Sequence, residues 1–169
     1  MSSQARDKHN AGSDVRVESL ADHLDLIPLI GQWHWEEFGR WDPGSSLGTW
    51  TARLTKGSQR IGIPTTFVAF IGDEPVGSAL LVEHNMTTHH DLTPWLAGVY
   101  VLPIYRGQGI GTALILHSEN QAAQMGIPRL YLYTPSVERF YERLGWSTIE
   151  RELYVGQVVA IMAKELHPD

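Results

Sequence analysis

The sequence predicts a single α/β (α+β) domain in which helices flank one mixed central β-sheet. Strand-like and helix-like hydrophobic patterns alternate along the chain in the order β-α-α-β-β-β-α-β-α-β-β. A nearly all-apolar run at 96–101 is typical of a central strand covered on both faces. The chain has 169 residues, 43% of them hydrophobic, and no internal repeat, which favours one domain.

One strand and two helices are predicted in the first third of the chain. Val15 and Val17 alternate with polar residues, as in a half-buried strand. Apolar residues recur at helical spacing over 22–38, and Pro28 is expected near the start of this helix or at a kink. Ser46 has a hydroxyl suited to capping a second helix, so we expect that helix to begin there.

The later elements are separated by clear turn signals. A tight hairpin is expected at 72–75, between two apolar runs, and Gly126 and Pro128 are expected to end a long helix. The remaining predicted strands lie at 66–71, 76–82, 96–101, 130–133, 147–153 and 158–162, and the remaining helices at 110–125 and 137–144.

Composition limits the kinds of site and partner. Cysteine is absent, which excludes disulfides, thiolate metal sites and a cysteine nucleophile, and which suits a cytoplasmic protein. The net charge is −6 without a basic run, so no nucleic-acid partner is expected. No apolar stretch approaches the roughly 18 residues of a membrane span, and the N-terminus lacks the pattern of a secretory signal, so no membrane partner is expected. Polar residues 1–14 predict a disordered tail before a domain at 15–169.

A strand, a glycine-rich turn and the start of a helix occupy residues 98–114. The first amides of a helix have no internal partners and favour anions. Gly107, Gly109 and Gly111 would let a phosphate approach the backbone, and Arg106 adds a positive charge. These residues predict a pyrophosphate site.

Other interpretations of the glycines are a plain strand-to-helix turn, a dinucleotide fold or a P-loop. A lone glycine pattern would favour the plain turn. The dinucleotide fingerprint fails because Thr112 stands at its last position and because several strands precede the turn. The P-loop fails because Gly-Lys-Ser/Thr is missing.

The turn resembles the acetyl-CoA motif of the GNAT superfamily of N-acetyltransferases. Its signature, Arg/Gln-x-x-Gly-x-Gly/Ala, is filled here by Arg106, Gly109 and Gly111. The downstream segment Phe140-Tyr141-Glu142-Arg143-Leu144-Gly145-Trp146 is similar to the family's Phe-Tyr-x-x-Leu-Gly-Phe. The resemblance implies a GNAT-like domain and transfer of an acetyl group from acetyl-CoA to a primary amine, by direct attack in a ternary complex.

The resemblance also implies roles for individual residues. The backbone of Val99 and Val101 would pair with the pantetheine arm, and the Val101 amide would polarise the thioester carbonyl. Tyr141 would protonate the departing thiolate, and its interpretation as a core aromatic stays open. Thr134 stands where the family often has Asn. The implied cofactor-binding set is Val99, Tyr100, Val101, Arg106, Gly107, Gln108, Gly109, Ile110, Gly111, Thr112, Thr134 and Phe140.

The base that takes the amine proton is not fixed by these motifs. Many family members have Glu on the central strand near the position of Trp95, where this chain has no acid. Glu83 is the candidate base, with His84, Asp91 and a water chain as alternatives.

A histidine-rich loop is also considered as a metal site. His84, His89 and His90 stand beside Glu83 and Asp91. Adjacent histidines in a Thr-rich loop are usually exposed, and acetyl transfer needs no metal. We expect no metal.

The acceptor site is predicted in the segment 33–42, which contains three Trp and three acidic residues. Trp33, Trp35 and Glu36 are its candidate residues, because aromatic faces and carboxylates suit a cationic amine. The alternative is a core role for Trp33 and a solvent role for the acids. The acceptor would be a small molecule, an amino acid or a peptide, and a homodimer stays open. The alternative function is a non-catalytic CoA-sensing or protein-binding module on the same fold.

Overall fold

The computed structural model describes residues 14–167, and seven strands in this part of the chain form one mixed sheet in the order β1-β2-β3-β4-β5-β7-β6. The predicted tail lies outside the described residues, except for Asp14. The strands are β1 (Val15–Ser19), β2 (Thr65–Ile71), β3 (Glu74–Val82), β4 (Trp95–Val101), β5 (Arg129–Thr134), β6 (Ser147–Tyr154) and β7 (Gln157–Glu165). The helices are α1 (Ile27–Phe38), α2 (Leu47–Lys56), α3 (Ile110–Gln124) and α4 (Glu138–Arg143).

This architecture confirms the predicted fold class and the order of the elements. Helix α1 is shorter than predicted, because two 3₁₀ turns, at Leu20–Asp22 and Leu24–Leu26, come before it. Pro28 lies in its first turn, where the missing N–H costs no hydrogen bond. Ser46 caps α2 as predicted, since its hydroxyl accepts the Thr49 amide at 3.2 Å.

Helices cover both faces of the sheet. Along β2, Phe67 and Ala69 join the cluster that α3 buries, whereas Val68 and Phe70 join the cluster of α1 and α2. Successive side chains of a strand point to opposite faces, so β2 is buried on both. No helix within residues 14–167 has the length and apolarity that crossing a membrane requires.

The sheet opens between β4 and β5, its parallel neighbours. Only one Cα pair, Trp95 with Tyr131, joins them among the described residues. There the Tyr131 amide donates to the carbonyl of Pro94 at 3.1 Å. Toward their carboxyl ends the two strands are unpaired with each other, which leaves an edge of β4 free inside the sheet.

A bulge reorients β4 just before this open region. The β3–β4 register shifts between Ser78 and Leu80, where Gly98 has a φ of 59°. A Cβ on Gly98 would lie 2.7 Å from Cδ1 of Leu80 and 3.4 Å from Cε1 of His34. Glycine is required at the bulge because of its positive φ and because a Cβ would lie too close to Leu80.

A buried ion pair ties α3 to the other half of the sheet. Lys164 of β7 pairs with Glu119 of α3, whose side chain is 9% exposed. The Lys164 ammonium also donates to the Leu144 carbonyl at 2.6 Å, at the end of α4. One cation thus holds α3, α4 and β7 together.

Candidate active site

A cavity of about 400 Å³ lies where β4 and β5 separate. It is bounded by the end of β4, the glycine turn, the first turn of α3, helix α4 and the last turn of α1. The lining residues are Glu37, Val99, Tyr100, Val101, Tyr105, Arg106, Gly107, Gly109, Ile110, Gly111, Thr112, Val137, Phe140 and Tyr141.

The end of β4 turns backbone groups toward the β5 side, among them the amide of Val101. Val101 is opposite Gly77 in β3, and the Leu102 amide donates to the Val76 carbonyl at 2.9 Å. Because backbone polar groups alternate between the two edges of a strand, the amide and carbonyl of Val101 point away from β3. Nε of Arg106 donates to this carbonyl at 2.9 Å.

The glycine turn forms an open cradle before α3. Gly107 and Gly109 have φ values of 77° and 84°, a region that L side chains rarely adopt. A Cβ on Gly107 would meet no atom within 4 Å. Gly109 is the N-cap of α3 and no side chain caps that terminus, so the first amides of this 15-residue helix are open to a ligand. The cradle fits an anionic phosphate group.

Gly111 brings three elements together in the cavity wall. A Cβ on it would lie 3.8 Å from a Val101 methyl and 3.9 Å from the Phe140 ring, which are ordinary contacts. The first turn of α3, the end of β4 and helix α4 therefore meet at this residue.

Tyr141 is buried in the cavity wall, with 8% of its surface exposed. Its ring packs edge to face against Phe140 and Trp146, with centroids 5.3 and 6.1 Å away. Burial raises the pKa of its phenol to about 12, so the proton stays on the oxygen at neutral pH. Within residues 14–167 the hydroxyl makes no hydrogen bond with another side chain or backbone group, and so it is available to a ligand.

Most of the predicted cofactor residues line the cavity, but Gln108 and Thr134 do not. The Thr134 hydroxyl accepts the amides of Ser136 and Val137 at 3.3 and 3.1 Å, and it thereby shapes the turn before α4. The Gln108 side chain is oriented back along the loop, toward the Ile104 carbonyl at 3.4 Å.

The predicted acceptor residues and the candidate base are also outside the cavity lining. Trp33 is buried in the core against Tyr100, Trp35 packs on Gly39, and exposed Glu36 accepts a hydrogen bond from Gln32 at 3.0 Å. Glu83 is exposed just beyond β3, near Trp95, at the other end of β4 from Val101. Six residue steps along β4 separate those ends, about 20 Å.

Glu37 reaches the cavity, whereas the predicted acceptor residue was its neighbour Glu36. Glu37 lies one helical turn after Trp33, whose ring centroid is 5.5 Å from that of Tyr100. Residues three and four positions after a buried one both share its side of the helix, so the spacing from Trp33 indicated Glu36 and Glu37 equally.

The histidine-rich loop packs against β6, away from the cavity. Nε2 of His89 is 2.9 Å from Oε2 of Glu152 and 3.8 Å from Oε2 of Glu150. The Thr88 hydroxyl donates to the other Glu152 oxygen at 2.9 Å. The three ligand atoms lie within 4.8 Å of one another, a cluster formed by residues about 60 positions apart in the chain.

Solved structures share this fold. One is spermidine/spermine N-acetyltransferase SpeG from Vibrio cholerae in complex with manganese ions (15% identity, 92% of this chain and 94% of that chain, TM-score 0.68). Another is yncA from Salmonella typhimurium with its cofactor acetyl-CoA (16%, 92% and 96%, TM-score 0.65). A third is an N-acetyltransferase from Staphylococcus aureus Mu50 (13%, 90% and 99%, TM-score 0.69).

The family comparison covers the whole region that builds the cavity. The model of the acetyltransferase (GNAT) family matches residues 27–146, from the start of α1 to the end of the Phe-Tyr segment. The match includes every residue of the cavity lining. The chain belongs to the acetyltransferase (GNAT) family.

Proposed function

We propose that the protein is an acetyl-CoA-dependent N-acetyltransferase that acts on a primary amine through a ternary complex. The observation that carries the proposal is the joining of three features in one cavity: the glycine cradle, the free edge of β4 and the buried phenol of Tyr141. The yncA structure with acetyl-CoA supports it through the shared fold.

The cavity residues fit the chemical parts of acetyl-CoA. Backbone amides from Arg106 to Thr112 would hold the pyrophosphate, since the cradle at Gly107 has room for an anion beside open amides. The edge of β4 that faces β5 would pair with the pantetheine arm as an added strand, with the Val101 amide as donor, since Arg106 already donates to the Val101 carbonyl. Acetyl-CoA supplies the activated acetyl thioester.

The chain's own residues would then stabilise charge and supply a proton. The Val101 amide points to the β5 side, where it can donate to a carbonyl oxygen that becomes negative. Tyr141 holds its proton at neutral pH because burial raises the pKa, and it would give that proton to the departing thiolate.

A ternary complex is favoured over an acetyl-enzyme. The chain has no cysteine, and no serine lines the cavity within the described residues. Initial rates should therefore give intersecting double-reciprocal plots. Parallel plots, or an acetyl adduct on a residue that turnover requires, would contradict direct attack.

Binding and transfer are tested separately. Calorimetry should show that acetyl-CoA and CoA bind and that NAD and ATP bind far more weakly, because the glycine turn matches neither of their fingerprints. Release of CoA thiol is then followed with a panel of primary amines. Binding without transfer to any amine would favour the CoA-sensing alternative, and tighter binding of NAD or ATP would contradict the cofactor assignment. The cytoplasmic location and a homodimer stay predictions.

A further inference from the structure

Glu37 is the only carboxylate that lines the cavity within residues 14–167. It comes from the last turn of α1, and Tyr141 enters from α4. The two residues therefore bring a carboxylate and a phenol to one space.

The carboxylate of Glu37 has no ion-pair partner among the described residues. Other acids of the same region are occupied: Asp42 pairs with Arg53, and Glu36 accepts from Gln32. Arg106 lies instead over the Tyr100 ring, 5.7 Å from its centroid, with Nε on the Val101 carbonyl. Glu37 thus offers an uncommitted negative charge to the cavity.

The negative charge of Glu37 affects the pKa of the Tyr100 phenol. Its pKa is raised, first by burial and further by the negative charges of Glu37 and Glu36, against an opposing effect of Arg106. The ring of Tyr100 lines the same cavity, so the carboxylate has an aromatic neighbour. A carboxylate that has no ion-pair partner is a favourable site for an ammonium ion.

We infer that Glu37 binds the acceptor amine as its ammonium ion and accepts the proton that the nitrogen must lose before it attacks. The inference rests on the proposed function, and it identifies the acceptor class as primary amines that are cationic at neutral pH. An aliphatic amine resembles the lysine side chain, whose pKa is about 10.4, so an unassisted amine would be almost wholly protonated at neutral pH.

The proton balance assigns complementary tasks to Glu37 and Tyr141. Glu37 takes one ammonium proton, and the freed lone pair forms the C–N bond at the thioester carbonyl. The C–S bond breaks, and Tyr141 protonates the thiolate sulfur. The second nitrogen proton then restores the Tyr141 phenol, directly or through water, while Glu37 releases its proton to solvent. One hydrogen stays on the amide.

Glu37→Gln tests the assignment, because it keeps the shape and removes the charge and the basicity. For a cationic primary amine we expect kcat/KM to fall by about 10²–10³, in the range of a positioned acid–base group. The dissociation constant of acetyl-CoA and the thermal melting temperature should stay at wild-type values. Glu142→Gln is the matched control, since Glu142 is exposed beside Tyr141 and outside the cavity lining, and it should behave as wild type.

The outcomes separate this inference from the proposed function. Wild-type transfer together with a Glu37→Gln rate within about threefold of wild type would overturn the role of Glu37 and leave the transferase intact. Equal losses in Glu37→Gln and Glu142→Gln would overturn it too, since a general charge effect would then explain the loss. No transfer by the wild-type protein to any amine would overturn the proposed function, and this inference with it.

Discussion

Nε2 of His34 lies 2.7 Å from the hydroxyl oxygen of Ser78, behind the Gly98 bulge of β4. The imidazole is buried, with 2% of its surface exposed, and burial lowers its pKa to about 4. At neutral pH this histidine is therefore an uncharged packing residue that supports the strand of the candidate site.

The buried His34 predicts a specific pH dependence of stability. The folded-state pKa of His34, about 4, is below the ordinary value of 6.5 for a histidine. Between these values the unfolded chain binds a proton that the folded chain excludes, so the free energy of unfolding falls as the pH falls from 6.5 to 4. His34 should account for a decrease of about 3 kcal/mol in the free energy of unfolding over this range. Below the folded-state pKa its contribution should decrease no further.

Urea unfolding at a series of pH values measures this contribution. His34→Gln should show a smaller loss over the same range, and exposed His84→Asn should match the wild-type slope. Identical slopes for wild type and His34→Gln would contradict the prediction. If His34→Gln does not fold, NMR titration of the wild-type protein measures the folded-state pKa of the His34 imidazole directly.

Tyr141→Phe separates the acid role from the packing role. One oxygen is lost from a ring that still contacts Phe140 and Trp146, so melting and acetyl-CoA affinity should stay nearly unchanged. The turnover number should fall by about 10²–10⁴. A core role alone predicts an almost unchanged rate, with Tyr141→Ala destabilising the fold by about 3–5 kcal/mol. Pre-steady-state kinetics would check that the chemical step is being measured.

Gly109→Val should weaken CoA binding by a large factor. The substitution strains a φ of 84° and adds a side chain beside the open amides of α3. Gly126→Val is the matched control, because Gly126 lies just beyond the other end of α3 with a φ of 80° and open space for a Cβ. Calorimetry should show weakened CoA binding in Gly109→Val only. Equal CoA affinities in both folded variants would show that the cradle is not part of the CoA site.

The ion pair between Lys164 and Glu119 predicts a strongly non-additive effect on stability. Burial raises the pKa of Glu119, and the neighbouring Lys164 opposes this. Lys164→Met should lower the free energy of unfolding by about 3–5 kcal/mol, because the buried carboxylate of Glu119 loses its ion-pair partner. In the double variant, Glu119→Leu also removes that carboxylate and should restore most of the lost stability. The exposed pair Arg129–Glu165 provides the control, since Arg129→Met should leave the free energy of unfolding close to the wild-type value. Additive losses in chemical unfolding would contradict the prediction.

The order of elements and the glycine cradle were predictable from the sequence because both follow from local signals. The alternation of Val15 and Val17, the cap at Ser46 and the spacing of Gly107 and Gly109 each depend on residues a few positions apart. The structure confirms these elements with small shifts at their ends.

The remaining features depend on contacts between distant parts of the chain. The pairing of His89 with Glu152 joins the loop after β3 to β6. Whether Glu36 or Glu37 enters the cavity depends on how α1 rotates against β4, and helix periodicity alone does not fix that rotation. The single β4–β5 pair at Trp95 is likewise a property of the assembled sheet.

The opening between β4 and β5 makes amide hydrogen exchange a probe of occupancy. The Val101 amide, which faces the gap, should exchange faster in the free protein than the Leu102 amide, which donates to Val76 at 2.9 Å. A ligand arm laid along the edge as a strand would protect Val101 and leave Leu102 nearly unchanged. The two neighbouring amides thus act as an internal reporter and reference, and they distinguish a filled cleft from one whose entrance alone is occupied.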